Sequence, residues 1–152
     1  MRNYTNGNVF AALYLRDLDE SSSKEFGLMR HYCLSIMRVA LEVATDTPQQ
    51  IRRTEIHVPQ AARWIEIAGH NIYNFSKANL DNTGENVIQV WIGGEDGGFL
   101  VWTGADGFSV ERWTFWKRRF GEIAHSEVKE EVKKLAAPAV EEMEKIEKQT
   151  TS

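Results

Sequence analysis

The chain holds one cysteine, three prolines and no excess of positive charge. Each shortage excludes something. The lone Cys33 cannot form an internal disulfide, and an unpaired thiol fits the cytosol or nucleus. A net charge of −4 argues against a nucleic-acid carrier, which needs a basic excess to neutralise phosphates. No window reaches the roughly 18 apolar residues that would suggest a membrane helix. Arg2, Asn3, Asn6 and Asn8 interrupt the start, so no signal peptide is expected. The four histidines, His31, His57, His70 and His125, show no zinc-helix spacing, and one cysteine builds no thiolate site. No metal, no cofactor and no catalytic set is expected. The expected location is intracellular, cytoplasmic or nuclear, and not secreted.

What is present is helical pattern. With 152 residues the chain reads as one domain spanning 1–152, large enough for a core without staples. Asn8 is the expected N-cap of a first helix running to about Leu18. Ser23 opens a longer one to Glu42 or Val43, whose Phe26, Met29, Cys33, Ile36, Met37, Ala40 and Val43 follow three-and-four spacing. Pro48 suits the first turn of a short helix to about Glu55. Pro59 is expected to open the next, with Ala61, Trp64, Ile65, Ala68, Ile72 and Phe75 inward and Gly69 admitting a close neighbour such as a tryptophan ring.

From 79 to 107 the pattern fails, and seven of the eleven glycines fall there. The runs Val87–Ile92 and Phe99–Trp102 flank Gly93-Gly-Glu-Asp-Gly-Gly98 and could pair as a hairpin. The favoured reading is an ordered loop whose Trp91 and Trp102 plug the core. The glycine run lacks the lysine and Ser/Thr of a phosphate loop, and Glu95 and Asp96 would repel phosphate.

Ser109 is the expected cap of a tryptophan-rich helix with Trp113, Trp116, Phe120 and Ile123 on one face. Its cations lie largely off that face, which suits a core helix rather than a nucleic-acid surface. Arg112 and Glu111 are candidates for buried or half-buried ion pairs, and an arginine over tryptophan for cation–π attraction. Ser126 is expected to cap the last helix, which runs to about Lys148 with a kink at Pro138 and a frayed tail at 149–152. Glu130–Lys134, Glu141–Lys145 and Glu144–Lys148 are candidate i,i+4 pairs. The fold class is all-α: five to six helices in an irregular orthogonal bundle, with a glycine-rich insert before the tryptophan-rich helix.

Two stretches carry a resemblance. They are Gly107-Phe-Ser-Val-Glu-Arg-Trp-Thr-Phe-Trp-Lys-Arg-Arg-Phe-Gly-Glu-Ile-Ala124 and Val58-Pro-Gln-Ala-Ala-Arg-Trp-Ile-Glu-Ile-Ala-Gly-His-Asn-Ile-Tyr73. With Met37–Glu42 and the tail from Ala136, they resemble the ascomycete family domain of unknown function 3632, over about 8–147. The resemblance implies a helical fold, a fungal and intracellular protein, and no agreed catalytic residues. Some members occur near secondary-metabolite genes. It also implies a helical stretch before Asn8 that this sequence lacks. An apolar face is therefore expected to stand open on the helix at 23–43 or that at 59–75.

Two functions compete. The leading one is a non-catalytic module that binds a protein partner or itself, with no nucleic acid and no membrane. The alternative is a small-molecule-binding protein or cofactor-free enzyme of fungal secondary metabolism. Its pocket candidates are Trp64, His70, Tyr73, Trp91, Trp102, Arg112 and Trp113.

Overall fold

The computed structural model describes residues 2–19, 21, 23–81 and 101–151, and of 2–5 and 23 the backbone alone. Five helices run in order among them: α1 (Arg2–Asp17), α2 (Ser23–Leu41), α3 (Pro48–Lys77), α4 (Val110–Ala124) and α5 (Glu130–Thr151). The fold is all-α, and no strand occurs among the described residues. The hairpin or loop expected around the glycine run, with Trp91, lies outside them.

α3 is the axis of the bundle and packs against all four other helices. It starts firmly because Thr47 and Gln50 form a capping box. The Thr47 hydroxyl accepts from the Gln50 backbone N–H, and the Gln50 side chain accepts from that of Thr47. Pro48 at the first turn loses no helical hydrogen bond. Pro59 does not open a new helix, as the sequence suggested; α3 runs through it. The one non-helical residue inside is Ala68 (φ −122°, ψ 18°), nine residues later. Beside it Gly69 leaves room for a neighbour, but that neighbour is Ile146 of α5, not a tryptophan. A Cβ on Gly69 would meet Ile146 Cδ1 at 2.6 Å.

α1 also departs from expectation. It begins at Arg2, so Asn8 is not a cap but an interior residue with no exposed surface. Its side-chain carbonyl accepts from Trp64 Nε1 at 3.0 Å. Asn8, Ala11, Ala12 and Leu15 form the buried stripe. α2 is buried on more than one side: Leu34 and Leu41 lie inside as well as Phe26, Cys33, Ile36, Met37 and Ala40. The open apolar face expected on α2 or α3 is not there, apart from Leu28 and Ile56. Among the described residues the most exposed large apolar side chain is Phe10 of α1, 69% exposed, with Tyr14 beside it.

Ser109 caps α4: its hydroxyl accepts from the Arg112 backbone N–H at 3.1 Å. Trp64, Ile65, Ala68, Trp113, Trp116 and Phe120 are all buried in one core cluster. Ser126 does not cap α5. Its hydroxyl donates instead to the Ile123 carbonyl at the end of α4, and α5 begins at Glu130. The N–H of Lys129, just before it, is met by the Glu55 carboxylate of α3 at 3.0 Å. α5 continues through Pro138. Its surface pairs form at i,i+3, Lys133 with Glu130 and Lys145 with Glu142.

Candidate functional site

The chain leaves α2 at Glu42, and four cationic or polar side chains converge there. Arg112 of α4 grips the Glu42 carboxylate with two bonds, Nε to Oε1 at 2.6 Å and Nη2 to Oε2 at 2.7 Å. Trp116 Nε1 donates to Oε1 at 2.8 Å. Arg38, one turn back on α2, lies 3.6 Å from Oε2, close enough for attraction but too far for a hydrogen bond. Burial pushes the Arg38 pKa down, and the nearby Glu42 charge offsets this only in part. Arg119 completes the end of α2: it donates to the carbonyls of Leu41 and Val43, both at 3.0 Å. The first is a carbonyl that the helix end leaves without an intrahelical partner, and the second lies just beyond that end.

The segment before α4 is held to this knot. Val101 N–H donates to the Glu42 carbonyl and Phe108 N–H to that of Leu80, both at 2.8 Å. Gly107 has φ 73°, a conformation in which a side chain would be strained, and its carbonyl accepts from Arg112 Nη1 at 2.8 Å. Trp102 lies over the Arg112 guanidinium, 5.5 Å from the ring centre, and Trp116 flanks the same group at 5.7 Å. The Trp102 N–H donates to the Ala105 carbonyl at 3.0 Å. Phe115 stands 5.1 Å away, tilted by 58°.

A groove of about 350 Å³ opens beside Trp102, lined by Val101, Trp102, Thr103, Glu111, Thr114, Phe115 and Arg118. A second, of about 330 Å³, lies between α3 and α5, with Ala62, Leu135, Pro138 and Ala139 as floor and Arg63, Glu66, Lys134 and Glu142 as rim.

The seven pocket candidates fall in different places. Tyr73 and Trp113 meet, with ring centres 5.0 Å apart. Arg112 and Trp102 meet at the knot. Trp64 is buried against Tyr32 and Asn8 on another side of α3. His70 is exposed, and Trp91 lies outside the described residues. Of the six described candidates, only Trp102 lines either groove. Sequence reasoning missed Glu42, Phe115, Trp116 and Arg118 as parts of this region. A signal for Glu42 existed: it is the one acid in the apolar run Val39-Ala-Leu-Glu-Val-Ala44.

The family model matches residues 1–120, from before α1 to the fourth turn of α4. The chain belongs to the family described as Protein of unknown function (DUF3632). The family match includes Glu42, Arg112, Trp116 and every residue lining the Trp102 groove, while α5 lies beyond it. No curated protein and no solved structure matches the chain.

The chemistry within reach is limited among the described residues. The Glu42 carboxylate is occupied by three donor bonds. Cys33 is fully buried and its pKa is pushed far up by loss of solvent, which keeps the thiol protonated and a poor nucleophile. No group of three His, Cys, Asp or Glu side chains is placed to share an ion. No described helix is long and apolar enough to cross a membrane.

Proposed function

We propose that the protein is a non-catalytic helical module that associates with a second copy of itself through the outer face of α1. One observation carries this reading: Phe10 and Tyr14 are both exposed, with rings stacked 6.1 Å apart and only 9° from parallel. Two large rings on one side of a helix whose opposite stripe already serves the core have apolar surface to hide.

Gly7 supports a second copy as the occupant. It lies one turn before Phe10 and two before Tyr14, on the same side, and a Cβ there would meet nothing within 4 Å. A glycine inside a helix costs about 1 kcal/mol relative to alanine, and no close contact among the described residues explains it. A strip that carries both rings and a notch is complementary to itself across a two-fold axis. The lone buried thiol and the sequence resemblance support an intracellular protein of a fungus, and this part of the reading rests on them alone.

Sedimentation equilibrium tests the association. The native chain is expected to show a concentration-dependent dimer. The double variant Phe10→Ser, Tyr14→Ser should stay monomeric and still melt cooperatively, with a melting temperature that no longer depends on protein concentration. A native chain that remains monomeric at high concentration sinks the reading.

A further inference from the structure

We propose that the groove beside Trp102 binds a planar aromatic small molecule with an amine at one end and an acidic group at the other. The proposal is independent of α1 and its association.

Trp102 is immobilised in a way that core packing alone does not require. Trp64, Trp113 and Trp116 are fully buried, whereas Trp102 keeps part of its ring open. Yet it is held from four directions: its N–H on the Ala105 carbonyl, Arg112 across one face, Phe115 at its side and Gly104 against its rim. A Cβ at Gly104 would collide with the Trp102 ring, so the bare backbone there is what leaves room for the ring. A rigid, half-open ring beside a groove of about 350 Å³ is a preformed platform, in a volume suited to a small ligand.

The ends of the groove define the ligand's charge. Glu111 and Arg118 are seven residues apart on α4, two turns along one side, or about 10 Å. Both are exposed. Glu111 has no cation within pairing distance among the described residues. Arg118 rests over the Phe115 ring at 5.2 Å and touches Glu122 only at 3.4 Å across open solvent, a pairing worth little. Thr103 and Thr114 line the space between them. A purely cationic ligand is disfavoured because Arg112 already occupies the Trp102 face and Arg118 the Phe115 face. A purely anionic one is opposed by Glu111. A flat apolar body with opposite charges at its ends satisfies both rims and the aromatic floor.

The test uses the intact chain and three probes: 4-(aminomethyl)benzoate, benzylamine and benzoate. Saturation-transfer NMR reads contact and calorimetry reads affinity. The two-ended probe is expected to bind about tenfold more tightly than either half. Glu111→Gln should weaken it about tenfold while leaving benzoate bound at least as tightly as before. Arg118→Gln should likewise weaken the two-ended probe about tenfold, while leaving benzylamine bound at least as tightly as before. The Phe10→Ser, Tyr14→Ser variant should bind all three as the native chain does, whatever its oligomeric state. No transfer to any probe overturns the proposal. So does binding that ignores both the Glu111 and Arg118 substitutions.

Discussion

A carboxylate at the C-terminal end of a helix faces the negative end of the macrodipole, and Glu42 sits there with 1% of its surface exposed. It is tolerated because Arg112 and Trp116 supply three hydrogen bonds and Arg38 adds a second positive charge nearby. Removing one partner strands the others. Glu42→Ala should cost about 3–5 kcal/mol in a urea titration, because Arg112 and Arg38 would then be buried without their counter-charge. Glu42→Leu combined with Arg112→Met should recover most of that loss, since two apolar groups leave nothing unpaired. Arg112 was legible in the sequence as a candidate for burial against tryptophan. Its partner was not. Seventy residues separate the two, and pairing at that range depends on how helices pack. Glu111, one residue before Arg112, was weighed for the same kind of pair and lies on the solvent side of the same turn.

α3 shows the same limit for an element. A proline inside a helix costs about 3 kcal/mol, and on that ground Pro59 read as a beginning. The structure keeps one helix because Val58, Ala61, Trp64 and Ile65 are all fully buried just around it. Each large apolar side chain among them returns roughly 1.5–3 kcal/mol on burial, which outweighs one missing hydrogen bond. Asn8 was misplaced for a related reason: cap chemistry and a buried partner for an indole N–H call for the same side chain. Where signals were local, as at Ser109 and in the aromatic face of α4, the sequence and the structure agree. The contact of Gly69 with Ile146 couples α3 to α5 and sets a test. Gly69→Ala gains about 1 kcal/mol in helix propensity but forces Ile146 aside at about 1–3 kcal/mol. The net expectation is a loss of up to about 2 kcal/mol by those two figures. Ile146→Val removes the colliding carbon. In that background Gly69→Ala should become neutral or stabilising, and a double-mutant cycle on thermal melts reads the difference.

For the whole molecule, acid should weaken the fold in two stages. Burial pushes the His57 pKa below its ordinary value, and the Arg53 charge adds to this. The unfolded chain therefore takes up a proton first as pH falls, so stability present at neutral pH starts to be lost below about pH 6.5. Asp17, Asp19 and Glu130 have depressed pKa values, held down mainly by hydrogen bonds from Arg16, Ser21 and Lys133. Their contribution is lost only below about pH 4. Melting temperatures are expected to drop between pH 7 and 5, and His57→Gln should flatten that drop while leaving the further fall below pH 4. A variant that falls as the native chain does across both ranges would remove His57 from the account. The bundle also depends on what α5 brings. The Glu147 carboxylate accepts from Trp113 Nε1 at 2.7 Å and from Lys117 at 2.8 Å, and Ile146 fills the notch at Gly69. Roughly seventy residues separate the end of α3 from Ile146, which at about 5–20 residues per second takes several seconds on the ribosome. During that interval the nascent chain carries a kinked helix with an empty notch and, once Trp113 is made, an indole without its acceptor, a transient surface on which a holding chaperone has apolar ground to bind.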